Sequence, residues 1–452
     1  MSSAAQLTRK SAPGPREFLS LSPLFAMRRN PLLYMEELHR RYGDLVSYRP
    51  AGRQVFILFH PEMTQDMLVT HARNHHQGRV MQRSRSVLGN GLLTSEDSLH
   101  LRQRRLMQPA FHRQRIAGYG RAMVEYAERH QQRWKSGELM DVHQHMMRLT
   151  LAIVGKTLFD TDVERDSQEI GSALNTFMGL FKFAVLPFSE ILEKLPIPPV
   201  LRMKKARAQM DRIIYPFIEE RRRSGEDRGD LLSMLLAAED KEYGGERMDN
   251  DQVRDECLTL ILAGHETTAN ALSWTFYLLA QHPQIAQRLK RELDHVLGDR
   301  PPTPEDYPNL KYAEMVLSES MRLYPPAWGI ARTVVEPYDA FGVTFPKNAL
   351  VLTSQWITHR DERWYPNPLH FDPERWTPQA RTNRPKFSYF PFGAGPRQCI
   401  GESFAWMEGV LLLASVARNW KFSVVKETRV ELLPVITLRP KFGMKLRIEK
   451  SN

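Results

Sequence analysis

Between about residues 100 and 295, apolar positions recur at spacings of three and four, and proline and glycine fall mainly at the joints. This pattern predicts a run of helices. Before it, "DLVSYRPAGRQVFILFH" reads as two short strands turning at Ala51–Gly52, and Pro61 opens a helix. The longest periodic stretch, from Asp249 to His282, predicts one helix of about 34 residues and about 50 Å, limited by Pro283. Its apolar core, "CLTLILAGHETTANALSWTFYLLA", is interrupted by His265, Glu266 and Asn270, so it reads as a buried helix. A further helix at about 309–323 stops at "YPP". Then come strand-like pieces in "GVTFPKNALVLTSQ", a proline-rich run, the loop "FPFGAGPRQCIGESF", a helix ending near Trp420, and strands and turns to the end. The fold class expected is mainly α with small β-sheets. No linker, repeat or low-complexity tract divides the interior. Residues 1–30 are expected to be an irregular N-terminal extension, and 31–452 a single domain.

Composition narrows the class. At 42% hydrophobic and 25% charged, the 452 residues match a soluble globular protein long enough to bury a core with an internal pocket. The net charge of +11, from 63 basic and 52 acidic residues, is scattered and accompanies no nucleic-acid motif. Two cysteines, Cys257 and Cys399, exclude a disulfide framework and a four-thiolate zinc site, and favour a reducing, cytoplasmic compartment. The first thirty residues hold neither a membrane-spanning segment nor a signal peptide, so no membrane anchor is expected.

The two thiols differ in setting. Cys257 lies mid-helix among leucines and reads as a small buried hydrophobe. Cys399 sits on a loop shaped by Gly393 and Gly395, which permit backbone forms a Cβ forbids. Gly401 follows where a helix begins. N–H groups at a helix start favour an anion, so the thiol pKa is expected to fall. Such a thiolate suits a metal or a nucleophilic attack. Arg397 stands ready for a nearby anion, and Phe392 for covering the sulfur. A thiol-dependent hydrolase or acyltransferase, its histidine base distant in sequence, remains open on these residues alone.

Phe392, Gly395, Arg397, Cys399 and Gly401 make the pattern F-x-x-G-x-R-x-C-x-G, which resembles the haem-binding loop of the cytochrome P450 family. Three further stretches resemble that family. Ala263, Gly264, His265, Glu266, Thr267 and Thr268 resemble its oxygen-binding segment: small residues leave room beside the helix, the Thr267 hydroxyl is able to break local helix hydrogen bonding, and Glu266 with Thr267 forms an acid–alcohol pair for proton delivery. "ESMR" and "FDPERW" supply Glu319, Arg322 and Arg375, similar to the family's buried structural triad. "HLRQRRLMQPAF" places His100 and Arg104 on one helix face, facing haem propionates, with Arg397 and Arg332 completing the contacts. These matches run from about residue 40 to 445.

The resemblance implies haem b (iron protoporphyrin IX) between the long central helix and the loop-to-helix segment, with Cys399 as the axial thiolate ligand to iron. It implies a monooxygenase that inserts one atom of dioxygen into a C–H bond of a lipophilic substrate: a fatty acid, a terpenoid or a steroid-like molecule. Position in the family pattern nominates Phe177, Phe181, Phe183, Trp328, Ile330 and Ile436 as pocket residues, beside the loop around Val80–Leu93. With no fused reductase, electrons are expected from a ferredoxin and its reductase or from a flavodoxin; the enzyme is expected to be a monomer. Two rivals share the haem: a peroxide-driven hydroxylase, disfavoured by Glu266-Thr267 where that branch carries Arg-Pro, and a non-catalytic haem sensor.

Overall fold

The computed structural model describes residues 12–15, 22–160, 170–173, 176, 195–240 and 245–451. Its longer helices are α1 (Ser22–Arg29), α2 (Pro31–Tyr42), α3 (Asp97–Met107), α4 (Arg113–Gln131), α5 (Val142–Phe159), α6 (Pro198–Ser224), α7 (Leu231–Ala237), α8 (Asn250–Gln281), α9 (Pro283–Leu297), α10 (Lys311–Leu323) and α11 (Glu402–Asn419). The main strands are β1 (Leu45–Tyr48), β2 (Val55–Leu58), β3 (His75–Gln77), β4 (Leu139–Asp141), β5 (Ile330–Val334), β6 (Leu350–Thr353), β7 (Trp420–Ser423), β8 (Leu432–Pro434), β9 (Leu438–Pro440) and β10 (Lys445–Lys450). The chain is thus mainly helical with small sheets. One departure is local: α1 is helical, inside the stretch expected to be irregular. No helix among the described residues is long and apolar enough to cross a membrane.

The described residues group into two compact units. One takes the chain up to Arg79 with Trp328–Pro368 and Arg384–Gln398. Its sheet runs β1-β2-β6-β5-β3. The β1–β2 hairpin pairs Leu45 with Leu58 around a tight turn at Pro50–Gly52, as the alternation predicts. β6 joins β2 in parallel, Leu350 opposite Val55, and β5 in antiparallel. All four β2 residues are buried, because this strand lies inside the sheet. The helix opened by Pro61 ends in a π-helical turn, Asp66–Thr70.

The other unit takes the described residues within Val80–Ala327, Leu369–Asn383 and Cys399–Asn452. Its axis is α8. Asp249 caps the first turn, accepting the Gln252 N–H at 2.7 Å. Pro283 ends the helix, since the residue before a proline avoids helical geometry and His282 sits at φ −124°, ψ 72°. Most of α8 is buried on every side, which is why its apolar residues do not confine themselves to one stripe. α5 lies along it, with the Thr150 hydroxyl donating to the His265 carbonyl at 2.9 Å. The β8–β9 hairpin is fixed beside α8 by the Trp274 indole N–H, which donates to the Leu438 carbonyl at 3.0 Å. Trp274 also stacks on Tyr324, ring centroids 4.4 Å apart.

Candidate active site

Cys399 precedes α11 by three residues. The Gly401 N–H donates to its sulfur and favours the charged form, and the Arg104 guanidinium acts in the same direction. Burial outweighs both and pushes the thiol up to about 11, with Glu402 adding to the rise. The fall in pKa expected from the helix start is therefore not found in the protein by itself: the carboxylate on the first residue of α11 opposes the N–H groups, and the deep setting costs a charge more than they return. The side chain nonetheless has accessible surface. Cys257 is fully buried and its thiol is pushed up further, in keeping with a packing role.

On α8, Ala263 is exposed and Gly264 half-buried although the helix around them is buried. A Cβ on Gly264 would lie 3.3 Å from Val154 Cγ2. The Thr267 hydroxyl donates to the Ala263 carbonyl at 2.7 Å, and α8 runs unbroken through this turn. So the hydroxyl shares the helix carbonyl without breaking the helix.

Glu266 departs from expectation. Its carboxylate accepts from the Thr437 hydroxyl and from Arg439 Nε, both on the β8–β9 hairpin, and is 1% exposed. It is not bonded to Thr267. Asn270 donates to Thr437 Oγ1 at 3.2 Å, and the Asn270 carbonyl oxygen faces His143 Nε2 at 3.1 Å. Successive residues on a helix point about 100° apart, which separates the two halves of the expected acid–alcohol pair.

On α3, His100 is buried and Arg104 half-buried; burial lowers the Arg104 pKa and interaction with Cys399 raises it. The adjacent arginines are used otherwise: Arg102 and Arg105 hold the buried Asp240 carboxylate at 2.9 and 2.8 Å. In α10, Glu319 and Arg322 form a fully buried bidentate pair, both bonds 2.8 Å. Arg375 Nε lies 3.3 Å from Glu319. Two partners absent from the sequence reading complete the carboxylate, the Trp376 indole N–H at 2.9 Å and the Asp372 N–H at 3.0 Å.

Trp328, Ile330, Arg332, Phe392, Gly395 and Arg397 belong to the first unit. Gly395 has φ +69°, and a Cβ there would lie 1.9 Å from the Leu68 carbonyl oxygen, so the loop demands glycine twice over. Arg332 is buried and donates to Gln77 Oε1 at 2.7 Å, across the β5–β3 register. Ile436, at the tip of the β8–β9 hairpin, packs on the apolar cluster that contains Leu92, Leu258 and Leu262. Phe177, Phe181 and Phe183 lie outside the described residues.

A model of the family described as cytochrome P450 matches residues 12–444. The chain belongs to the cytochrome P450 family. It is 39% identical to cyclooctatin synthase of Streptomyces melanosporofaciens, over 91% of this chain and 90% of that protein. It is 34% identical to pentalenene oxygenase of Streptomyces avermitilis, over 93% of each. A retinoic acid-bound cyanobacterial cytochrome P450 superposes with a TM-score of 0.86 at 25% identity, covering 97% of this chain and 99% of that one. The heme domain of cytochrome P450DA gives the same score at 27% identity, with 98% of each covered. The chain is accordingly a P450 monooxygenase, an oxidoreductase of a family that uses haem with a cysteine thiolate ligand, dioxygen, a substrate and redox partners.

The residues of the second unit fit a P450 haem. A lone sulfur donor has accessible surface at depth, a half-buried guanidinium interacts with it, and α8 places Ala263 and Gly264 side by side where its burial is interrupted. Several functional candidates escaped the sequence reading. Thr437 and Arg439 lie in a hairpin whose sequence carries no polar motif. Glu408 was visible: it is the one acid inside "WMEGVLLLASV", and it is fully buried on α11 with the Thr268 hydroxyl as its polar neighbour.

Proposed function

We propose that this P450 hydroxylates a terpenoid-like lipophilic substrate, inserting one atom of dioxygen into a C–H bond, with Cys399 as the thiolate that holds haem b. Bound haem supplies the iron that activates dioxygen, and a thiolate ligand favours O–O cleavage. The chain's residues supply the rest. Cys399 accepts the Gly401 N–H, which limits the charge on sulfur. Arg104, His100, Arg397 and Arg332 are the donors proposed for the propionates, and Phe392 the cover over the sulfur. Ala263 and Gly264 leave α8 open to a flat ligand. Thr267 positions water beside them, and Glu266, once swung from Thr437 and Arg439, takes a proton from water and passes it on. The buried Glu319–Arg322–Arg375 set holds α10 to the Leu369–Asn383 segment. Ile436, Leu92 and Leu262 give an apolar lining, with Trp328, Ile330, Phe177, Phe181 and Phe183 as further candidates.

The terpenoid class is supported by relatives named for cyclooctat-9-en-7-ol and pentalenene. Electrons come from a separate ferredoxin with its reductase, or from a flavodoxin. Residues 31–452 act as one catalytic domain, and the enzyme works as a monomer.

The observation that carries this reading is the deep, accessible Cys399 thiol with its Gly401 N–H donor. Reduced, haem-loaded protein exposed to carbon monoxide is expected to show the red-shifted band of thiolate-ligated haem. Cys399→Ser should lose it and Cys257→Ser should keep it. A thiolate band that survives Cys399→Ser overturns the assignment.

A further inference from the structure

One carboxyl outside this chemistry is buried against a loop of the expected pocket. Glu256, on α8, has no exposed surface. Its Oε2 accepts the Leu92 N–H at 2.8 Å, and its neighbour Asp255 accepts the Asn90 N–H at 2.7 Å. Two successive carboxyl groups therefore take two backbone donors from one loop. The approach is close enough to require glycine: a Cβ on Gly89 would lie 2.0 Å from the Asp255 carboxylate, and one on Gly91 2.3 Å from Thr259 Oγ1. From α3, Gln103 donates to the Asn90 carbonyl. So held, Leu88, Leu92 and Leu93 enter the same apolar cluster as Leu262 and Ile436.

We propose that Glu256 is a positioning residue for the substrate pocket: through the Leu92 N–H it holds the loop from Leu88 to Leu93 against this cluster, and so sets how tightly the loop closes on a lipophilic substrate. The link to substrate rests on the function proposed above; the link to the loop rests on geometry alone.

The same contact carries a readout that simple packing would not. Burial pushes the Glu256 carboxyl up to about 8, the Leu92 N–H opposes the rise and the Asp255 charge adds to it. The carboxyl is thus neutral at pH 7. Its Oε1 has no hydrogen-bond partner, a place for the proton but a poor one for charge. The surrounding cations are held by other groups. Arg254 bonds Asp211 of α6 and Asp255, Arg207 bonds the Ser86 carbonyl, and Arg102 of α3 bonds Asp240 and Gln252. Beside Glu256 on α8, Cys257 is neutral, its thiol raised by burial. When the loop opens, water reaches Glu256 and its carboxyl ionises near its ordinary value, so rising pH favours opening until, at about pH 8, the carboxyl ionises in the closed form too.

The test compares haem-loaded wild type with Glu256→Gln, which keeps the volume and an acceptor for Leu92. Amide hydrogen exchange across residues 88–93, corrected for intrinsic base catalysis, is followed from pH 6.5 to 9.5. In wild type, protection at Leu92 should fall about tenfold per pH unit from pH 6.5 to about pH 8 and level off above it; in Glu256→Gln it should stay level throughout. The same pH dependence in both proteins, or none in either, overturns the proposal. Farnesol serves as the ligand probe, its affinity read by quenching of tryptophan fluorescence. Its dissociation constant should rise over the same range in wild type alone; a level affinity in wild type overturns the link to substrate. No farnesol binding at any pH, with the loop behaving as stated, counts against the terpenoid class and leaves the anchor standing.

Discussion

A carboxylate buried to 1% exposure survives in a protein interior only when its charge is answered, and Glu266 is answered by Arg439 and Thr437. Removing one member of a buried pair leaves the other uncompensated, which costs about 3–5 kcal/mol, whereas removing both costs far less. Arg439→Met should therefore destabilise the protein strongly, and adding Glu266→Gln should restore most of the loss, as read by urea unfolding. Equal losses in the single and double variants would show that the ion pair does not carry the stability. Thr267 belongs to a separate prediction. Its hydroxyl returns to the Ala263 carbonyl, so Thr267→Ala should fold normally. It should keep consuming oxygen with an electron donor while product per oxygen falls; wild-type coupling would remove Thr267 from proton delivery. Chemical type was legible at both positions, because an acid beside an alcohol in an apolar helix is conspicuous. Direction was not: whether Glu266 meets Thr267 or Arg439 depends on a hairpin about 170 residues away in sequence.

Elements carry the same lesson. The limits of α8 could be read from Asp249 and Pro283, since a cap and a proline act within one turn. The i,i+3 spacing of Glu319 and Arg322 likewise placed them together on α10. The burial of that pair could not be read locally, because it depends on Trp376 and the Asp372 N–H arriving from a later segment. An exposed pair of this spacing would contribute little. This one has four donors converging on Glu319, two from Arg322 with the Trp376 indole and the Asp372 N–H, so Glu319→Gln should cost about 3–5 kcal/mol in chemical denaturation. A loss under about 1 kcal/mol would return the pair to the ordinary surface class.

For the whole molecule, buried titratable groups of opposite type set the pH at which the protein is most stable. Burial lowers His75, His130 and His265 to about 4. Between about 4 and 6.5 the unfolded chain binds protons at these histidines that the folded one refuses, so their contribution to stability is lost as pH falls through that window. Burial raises Glu256 and Glu408 to about 8. From about 4.5 upward the folded state keeps two protons that the unfolded state releases, so this contribution is lost as pH rises towards 8. Three histidines outweigh two glutamates at about pH 5.5, and the glutamates act nearly alone above about pH 7, which places the maximum between about pH 6 and 7. Glu408 tests the alkaline side, since burial dominates its rise and the Thr268 hydroxyl is the group that opposes it. Glu408→Gln should therefore flatten the fall in Tm between pH 7 and 8.5 and leave the acid limb unchanged. An alkaline limb as steep in Glu408→Gln as in wild type would mean that Glu408 is already ionised in the folded protein, and that α11 carries a buried charge beside Thr268.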